Sequence, residues 1–141
     1  MAVQSSASAT WTGDLKGGQG TVRPASGAFP ELELTWAHRA ETRESGTSPE
    51  ELIAAAHAGC FAMALSNGLA GAGSPPEKLE TSASVTFQAG EGITGIHLTV
   101  EGTVPGVDQD AFQAAAEDAK KNCPVSQALT GTTITLSAKL A

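Results

Sequence analysis

Residues 49–61 read Pro-Glu-Glu-Leu-Ile-Ala-Ala-Ala-His-Ala-Gly-Cys-Phe and form the strongest helix candidate of this chain. Ser48 is a suitable N-cap, Pro49 fits the first helical position, and Glu51 completes a capping box with Ser48. Alanine and glycine occupy almost every side of this helix, which we expect to end near Ala70. A helix without a polar face is expected to be buried. The stretch therefore predicts one long, buried helix that another helix can approach closely.

The segments on either side of this helix alternate between strand and helix patterns. Strands are predicted before it at 9–12, 20–22 and 31–36, and after it at 84–88, 96–101 and 133–140, with helices at about 109–122 and from 124 onward. The order βββ-α-ββ-α-β favours an α+β fold with helices packed on antiparallel sheet. A length of 141 residues suits one compact domain, so we expect a single domain over residues 1–141.

The composition excludes several classes of partner. A net charge of −7 argues against nucleic acid and against acidic membrane surfaces, since both require basic patches. The N-terminus lacks the basic and apolar regions of a secretory signal, and the apolar run 53–65 is too short to span a bilayer. His38, His57 and His97 do not have the spacing of a metal site. We therefore expect a cytoplasmic protein with no metal, nucleic-acid or membrane partner.

Cys60 and Cys123 are the only cysteines in the chain. In a reducing cytosol such a pair is more often catalytic or redox-sensing than structural. Cys60 lies about 16 Å into its helix at 1.5 Å per residue, so the helix dipole gives its thiolate little help. Cys123 precedes Pro124 and would be the N-cap of the next helix, which makes it the better thiolate on local grounds. These arguments leave open which sulfur attacks.

A reactive Cys60 needs a positive charge from outside its own helix. Arg39, Arg43 and Arg23 are the candidates, and Glu50 is the acid best placed to orient a guanidinium. The remaining donors of that guanidinium could hold a thiolate and a peroxide oxygen. Glu50 and Cys60 are separated by roughly 15 Å along one helix and cannot meet within it. An antiparallel copy from a second subunit could bring them together, so we expect a composite site at a dimer interface.

The residues at 48–65 and 123–129 resemble the two signature segments of the OsmC/Ohr family, the osmotically induced protein C and organic hydroperoxide resistance peroxidases. The similarity extends over nearly the whole chain, including 11–22, 104–108 and the final strand. The early Trp-x-Gly-Asp segment and the Ala-Ala-His-Ala pattern favour the OsmC branch. The resemblance implies an OsmC-like α+β fold, with antiparallel sheets around a long central helix, in an intertwined homodimer.

The resemblance also implies an activity and residue roles. The family reduces organic hydroperoxides, and hydrogen peroxide less well, to alcohols through a two-cysteine sulfenate and disulfide cycle. By this resemblance Cys60 is the peroxidatic cysteine and Cys123 the resolving one. Glu50 matches the family's acid by its ten-residue spacing to Cys60. Arg39 is the best match to the family's arginine, while Arg43 and Arg23 remain candidates.

The expected partners follow from the same resemblance. The cycle uses no metal, haem or flavin, and an external dithiol, such as a lipoylated protein, resets the cysteines. The apolar side chains of Phe61, Met63 and Phe112 would favour organic hydroperoxides over hydrogen peroxide.

The rival interpretation is a non-enzymatic dimeric module that binds a small ligand or senses oxidation through its cysteines.

Overall fold

The computed structural model describes residues 1–41 and 45–141. The chain forms two compact units, Met1–Pro49 and Glu50–Ala141, and each contains its own three-stranded sheet. Helices and sheets together confirm the predicted α+β class. The single domain over residues 1–141 stays a prediction.

The first unit is an antiparallel sheet followed by a short helix. Its strands are β1 (Ala7–Thr12), β2 (Gln19–Pro24) and β3 (Leu32–Leu34), in the order β1-β2-β3. Helix α1 (Trp36–Ala40) comes next, where the sequence predicted strand up to Trp36. The difference arises at Thr35, whose side-chain oxygen accepts a hydrogen bond from the His38 N–H at 3.1 Å and caps the helix.

The second unit contains three helices and the second sheet. Its elements are α2 (Pro49–Gly71, whose first residue ends the first unit), β4 (Lys78–Gln88), β5 (Gly92–Thr103), α3 (Gln109–Asn122), α4 (Pro124–Ala128) and β6 (Ile134–Leu140). Strands β4 and β5 pair antiparallel, as predicted, whereas β6 pairs parallel to β5 with Ile134 opposite Ile96. The expectation of a wholly antiparallel sheet is wrong for β6, because α3 and α4 form a crossover that makes the chain re-enter in the direction of β5.

Helix α2 buries one stripe of side chains. Every fourth residue along it lies in the core, namely His57, Phe61, Leu65 and Leu69. The Thr81 hydroxyl of β4 also donates a hydrogen bond to the Ala58 carbonyl at 3.1 Å. The opposite face is open, and Met63 is 75% exposed. The expectation of a helix buried all round is therefore wrong for a single chain, since the sheet and α3 cover only one side of it.

Helix α2 is long and apolar enough, by length and composition alone, to cross a membrane. The core helix of a soluble protein passes the same test, so the property is weak support for a membrane span. In this chain the helix also carries Glu50 and His57 with their side chains buried in the protein.

A glycine in β5 sets how closely α3 packs on the sheet. A Cβ atom at Gly102 would lie 2.6 Å from the ring of Phe112, so only glycine allows this approach. Asp108 caps α3 by accepting a hydrogen bond from the Ala111 N–H at 2.8 Å. Together these contacts place the end of α3, where Cys123 begins the turn into α4.

Candidate active site

The two cysteine thiols meet in the second unit. Cys60 lies on α2 and is half-buried, whereas Cys123 lies between α3 and α4 and is fully buried. Both are free thiols, and their side chains hydrogen-bond to each other. Two sulfurs in hydrogen-bond contact can form a disulfide with little movement of the backbone. The structure thus brings together the pair that the sequence singled out.

The surroundings of Cys60 shift its pKa upward. Burial raises the pKa of the Cys60 thiol most, and the hydrogen bond and charge of Cys123 raise it further. The backbone N–H of Val125 donates to the Cys60 sulfur and acts in the opposite direction. The net shift still disfavours the thiolate. Cys60 therefore needs a further positive charge to be reactive at neutral pH, which is what the helix geometry indicated.

The two cysteines differ in how much of their surface is exposed to solvent. Pro124 occupies the first turn of α4 as expected, but the Cys123 side chain makes no capping hydrogen bond to that helix. Its exposed fraction is 0%, so a dissolved peroxide cannot reach it without a structural opening. Cys60 retains a partly open surface. Cys60 is therefore the more accessible of the two thiols.

A buried polar pair lies beside the thiols. The His57 Nε2 and Ser126 Oγ atoms are 2.7 Å apart, and the two residues are 0% and 3% exposed. Burial lowers the pKa of the His57 imidazole, so this ring is neutral at pH 7. The sequence predicted His57 as a packed helix residue, which is confirmed, but not its partner. The available signal was spacing, because His57 lies three residues before Cys60 and Ser126 three residues after Cys123.

Glu50 lies in the first turn of α2 and is 2% exposed. A carboxyl group so deeply buried is rarely without a partner of opposite charge or a hydrogen-bond donor. Along α2 it remains roughly 15 Å from Cys60, given their ten-residue separation. The helix itself does not bring the acid and the thiol together, in agreement with the sequence argument.

The two candidate arginines that the structure describes, Arg39 and Arg23, lie in the first unit. Arg39 is half-buried on α1 and lines a cavity of about 330 Å³. The other lining residues are mostly apolar: Trp11, Leu15, Leu34, Thr35, Trp36 and Pro49. Arg23 is exposed on β2, where its Nε donates to the Ser8 hydroxyl at 3.4 Å. Arg43 lies outside the described residues.

Several known proteins have sequences similar to this chain. The family model described as OsmC-like protein matches residues 42–137. The peroxiredoxin OsmC of Escherichia coli is 45% identical over 132 residues, which is 92% of each chain. An organic hydroperoxide resistance protein of Xanthomonas axonopodis is 33% identical over 92 residues, or 61% of each chain. The E. coli relative agrees with the expected OsmC branch.

Solved structures show the same fold at low sequence identity. The OsmC-like protein of Mycoplasma pneumoniae superposes with a TM-score of 0.73 at 17% identity, covering 100% of this chain and 99% of that one. The organic hydroperoxide resistance protein OhrB of Bacillus subtilis has a TM-score of 0.68 at 24% identity, covering 94% and 97%. A shared fold, a matching family model and a relative that is 45% identical lead to one conclusion: the chain belongs to the OsmC-like protein family.

Proposed function

We propose that this chain reduces organic hydroperoxides to alcohols through a cycle between Cys60 and Cys123. Its family and its peroxiredoxin relative make it a thiol-dependent peroxidase. The observation that carries the residue assignment is a half-buried thiol in hydrogen-bond contact with a fully buried one. A dissolved peroxide can reach the Cys60 thiol, whereas the buried Cys123 thiol is in contact with Cys60 and closed to solvent.

The chemistry follows in two steps within the chain. The Cys60 thiolate attacks the distal peroxide oxygen, the O–O bond breaks, and the departing alkoxide takes up a proton to become an alcohol. Cys60 is left as a sulfenic acid. The Cys123 thiol then condenses with it, forming the disulfide and releasing water. An external dithiol supplies two electrons by exchange and restores both thiols.

Arg39 and Glu50 complete the site in this proposal. Arginine remains protonated at all relevant pH values and can bind a carboxylate with two of its donors while others face the reaction. The raised pKa of Cys60 supports the need for such a charge. Support for these two residues comes from the family resemblance, from the half-buried position of Arg39 and from the burial of Glu50.

We assign the preference for organic over hydrogen peroxide to the surroundings of Arg39. The apolar cavity that Arg39 helps to line suits an alkyl substituent, which hydrogen peroxide lacks. The residues that the sequence suggested for this role lie elsewhere. Phe61 and Phe112 are 0% exposed and belong to the core, and Met63 is exposed on α2.

We propose that a second copy of the chain covers the open face of α2. This face is apolar and made of small residues around Met63, including Ala55, Ala56 and Gly59. An antiparallel copy would bury it and would bring Glu50 of one subunit toward Cys60 of the other. The intertwined homodimer and a single domain over residues 1–141 belong to the same proposal.

The remaining partners are inferred from chemistry. The proposed cycle needs no prosthetic group, because the two thiols and an external dithiol balance its electrons. A lipoylated protein is a dithiol of the required class. Both cysteines are free, which suits the reducing cytoplasm, where we place the protein. The net charge of −7 supports neither nucleic acid nor an acidic membrane as a partner.

A coupled assay separates an enzyme from a binding or sensing module. The reduced protein is mixed with tert-butyl hydroperoxide and excess dithiothreitol, and peroxide loss is followed against a protein-free blank. We expect consumption of many equivalents of peroxide per chain, and slower consumption of hydrogen peroxide in a parallel run. Consumption that stops after a single equivalent would favour the sensing module instead.

Replacing Glu50 with glutamine should slow peroxide reduction about tenfold or more, the effect of losing one charge-assisted hydrogen bond. Glutamine keeps the volume of the side chain but cannot balance a guanidinium charge. The rate is measured by stopped flow at saturating dithiol. Glu51→Gln, one residue further along and exposed, is the matched control and should behave as the parent. Equal rates for all three proteins would return Glu50 to a structural role.

A further inference from the structure

A buried hydrogen bond joins α2, which carries Cys60, to α4, which begins directly after Cys123. His57 on α2 and Ser126 on α4 meet through Nε2 and Oγ at 2.7 Å, and neither side chain is accessible to solvent. Along α2, His57 precedes Cys60 by three positions, so the two share one helix face. On the other side of the contact, Ser126 follows Cys123 by three positions. The thiol contact and the His–Ser contact are thus two neighbouring attachments between α2 and the start of α4.

The protonation state of His57 follows from its surroundings. No hydrogen-bond partner for its Nδ1 atom is found among residues 1–41 and 45–141. A buried N–H without an acceptor is rarer in proteins than a buried acceptor without a donor. The arrangement therefore assigns a neutral ring whose Nε2–H donates to the Ser126 hydroxyl oxygen and whose Nδ1 carries a lone pair. The contact is a neutral hydrogen bond with a defined direction.

The attachment lies next to the groups that act on Cys60. Ser126 directly follows Val125, whose backbone N–H donates to the Cys60 sulfur, and the Cys123 thiol bonds to the same sulfur. Both contacts come from one short segment, 123–126. A shift of this segment by 1 Å would lengthen both hydrogen bonds beyond useful range. What holds the segment against α2 therefore controls both contacts.

We propose that His57 and Ser126 are positioning residues that hold α4 against α2, so that Val125 stabilises the Cys60 thiolate and Cys123 captures its sulfenic acid. The inference rests on the proposed cysteine cycle. In this proposal the His57–Ser126 hydrogen bond supports two steps. The first is attack by Cys60, which depends on the thiolate, and the second is condensation with Cys123, which depends on the distance between the two sulfur atoms.

The second step has a competing reaction. A sulfenic acid that is not captured reacts with another hydroperoxide, gaining an oxygen to become a sulfinic acid and releasing a second alcohol. Sulfinic acid is not reduced by an ordinary dithiol, so the enzyme is lost. A tight attachment of α4 favours the disulfide over this loss. Weakening it should slow attack and raise inactivation together.

The test uses Ser126→Ala, with Ser126→Thr as the conservative variant that keeps the hydroxyl. Ser137→Ala is the matched control, because it removes a second His–Ser hydrogen bond, the 3.0 Å contact to His97 on the exposed sheet face. The first readout is alkylation of Cys60 by iodoacetamide across pH 6–10, quantified by peptide mass spectrometry. Among the described residues, Cys123 is the ionisable side chain that raises the pKa of Cys60. It is present in all the variants, so a change in the pH profile cannot come from its loss.

In Ser126→Ala, Cys60 should be alkylated about tenfold more slowly at neutral pH, because its thiolate loses the hydrogen bond from the Val125 N–H. The pH profile of the alkylation rate should also move to higher pH. The second readout is the fraction of Cys60 in the sulfinic form after excess tert-butyl hydroperoxide without dithiol, which should rise severalfold. Ser126→Thr and Ser137→Ala should match the parent in both. A merely structural role for the pair would not move the pH profile of a folded variant.

Ser126→Ala leaves a buried histidine without its acceptor and could unfold. The double variant His57→Phe with Ser126→Ala replaces both polar side chains with apolar ones. Neither position then holds a buried polar group without a partner, so circular dichroism should show a folded protein. Parent-like alkylation and parent-like sulfinic yield in a folded single or double variant would overturn the proposal. If the parent protein consumes no peroxide, the proposed cysteine cycle is wrong. The alkylation profile would still show whether the His57–Ser126 contact affects the reactivity of Cys60.

Discussion

Replacing Cys60 with serine is expected to reduce peroxide turnover to the rate of the protein-free blank. Cys60 is the thiol that the solvent can reach, and Cys123 is fully buried behind it. A serine hydroxyl remains protonated at neutral pH and is a far weaker nucleophile toward a peroxide oxygen than a thiolate. Turnover is measured with tert-butyl hydroperoxide and excess dithiothreitol, with circular dichroism as the check on folding.

Cys123→Ser is the informative companion to this variant. It keeps the attacking thiol and should consume one equivalent of peroxide rapidly, then leave a sulfenic acid that dimedone traps and mass spectrometry locates at Cys60. The opposite pattern, with turnover retained in Cys60→Ser and trapping at Cys123, would reverse the two assignments. It would also imply that the buried thiol becomes exposed during the cycle.

Replacing Met63 with glutamate is expected to give a monomer without peroxidase activity. Met63 is 75% exposed at the centre of the apolar face of α2. Burying a carboxylate there in each of two copies costs several kcal/mol per ion, so the dissociation constant should rise a hundredfold or more, on the order expected for such a penalty. Light scattering coupled to size exclusion gives the mass, and the peroxide assay gives the activity of the same fractions.

Two further variants show whether this result is specific to the α2 face. Met63→Leu keeps an apolar side chain of similar volume and should remain dimeric and active. Thr99→Glu adds the same charge on the exposed face of β5 and should also have no effect. A Met63→Glu protein that stays dimeric would show that the interface lies elsewhere. A fully active monomer would rule out a site that is composed from two subunits.

Patterns in the sequence predicted most of the elements because local signals dominate them. The helix at 109–122 has the predicted bounds, since Asp108 is a clear N-cap and Cys123 and Pro124 interrupt the pattern. Strands β4 and β5 are longer than predicted, because their pairing extends past the residues that alternate most clearly, whereas β6 begins one residue later than predicted. The direction of β6 could not be predicted in this way, since alternation is the same for parallel and antiparallel neighbours.

For the candidate site, the sequence indicated the two cysteines but not the residues that contact each other around them. The pairing of Cys60 and Cys123 followed from their segments, and the hydrogen bond between their thiols agrees with it. Ser126 carried no signal of its own, because a serine in a short helix is common and its partner lies 69 residues earlier in the chain. The single chain leaves one face of α2 uncovered, which could not be predicted for a related reason: the pattern shows which faces are apolar, but not whether the same chain covers them.

The contact between the two thiols also ties catalysis to chain entropy. A disulfide between Cys60 and Cys123 closes a loop of roughly 60 residues, and in the entropic account such a cross-link disfavours the unfolded ensemble by about 4 kcal/mol. In the proposed cycle, the oxidised intermediate is therefore the form that resists unfolding more. Each reduction by the dithiol would release that constraint, so the reduced protein, which is ready to react with the next peroxide, would unfold most easily.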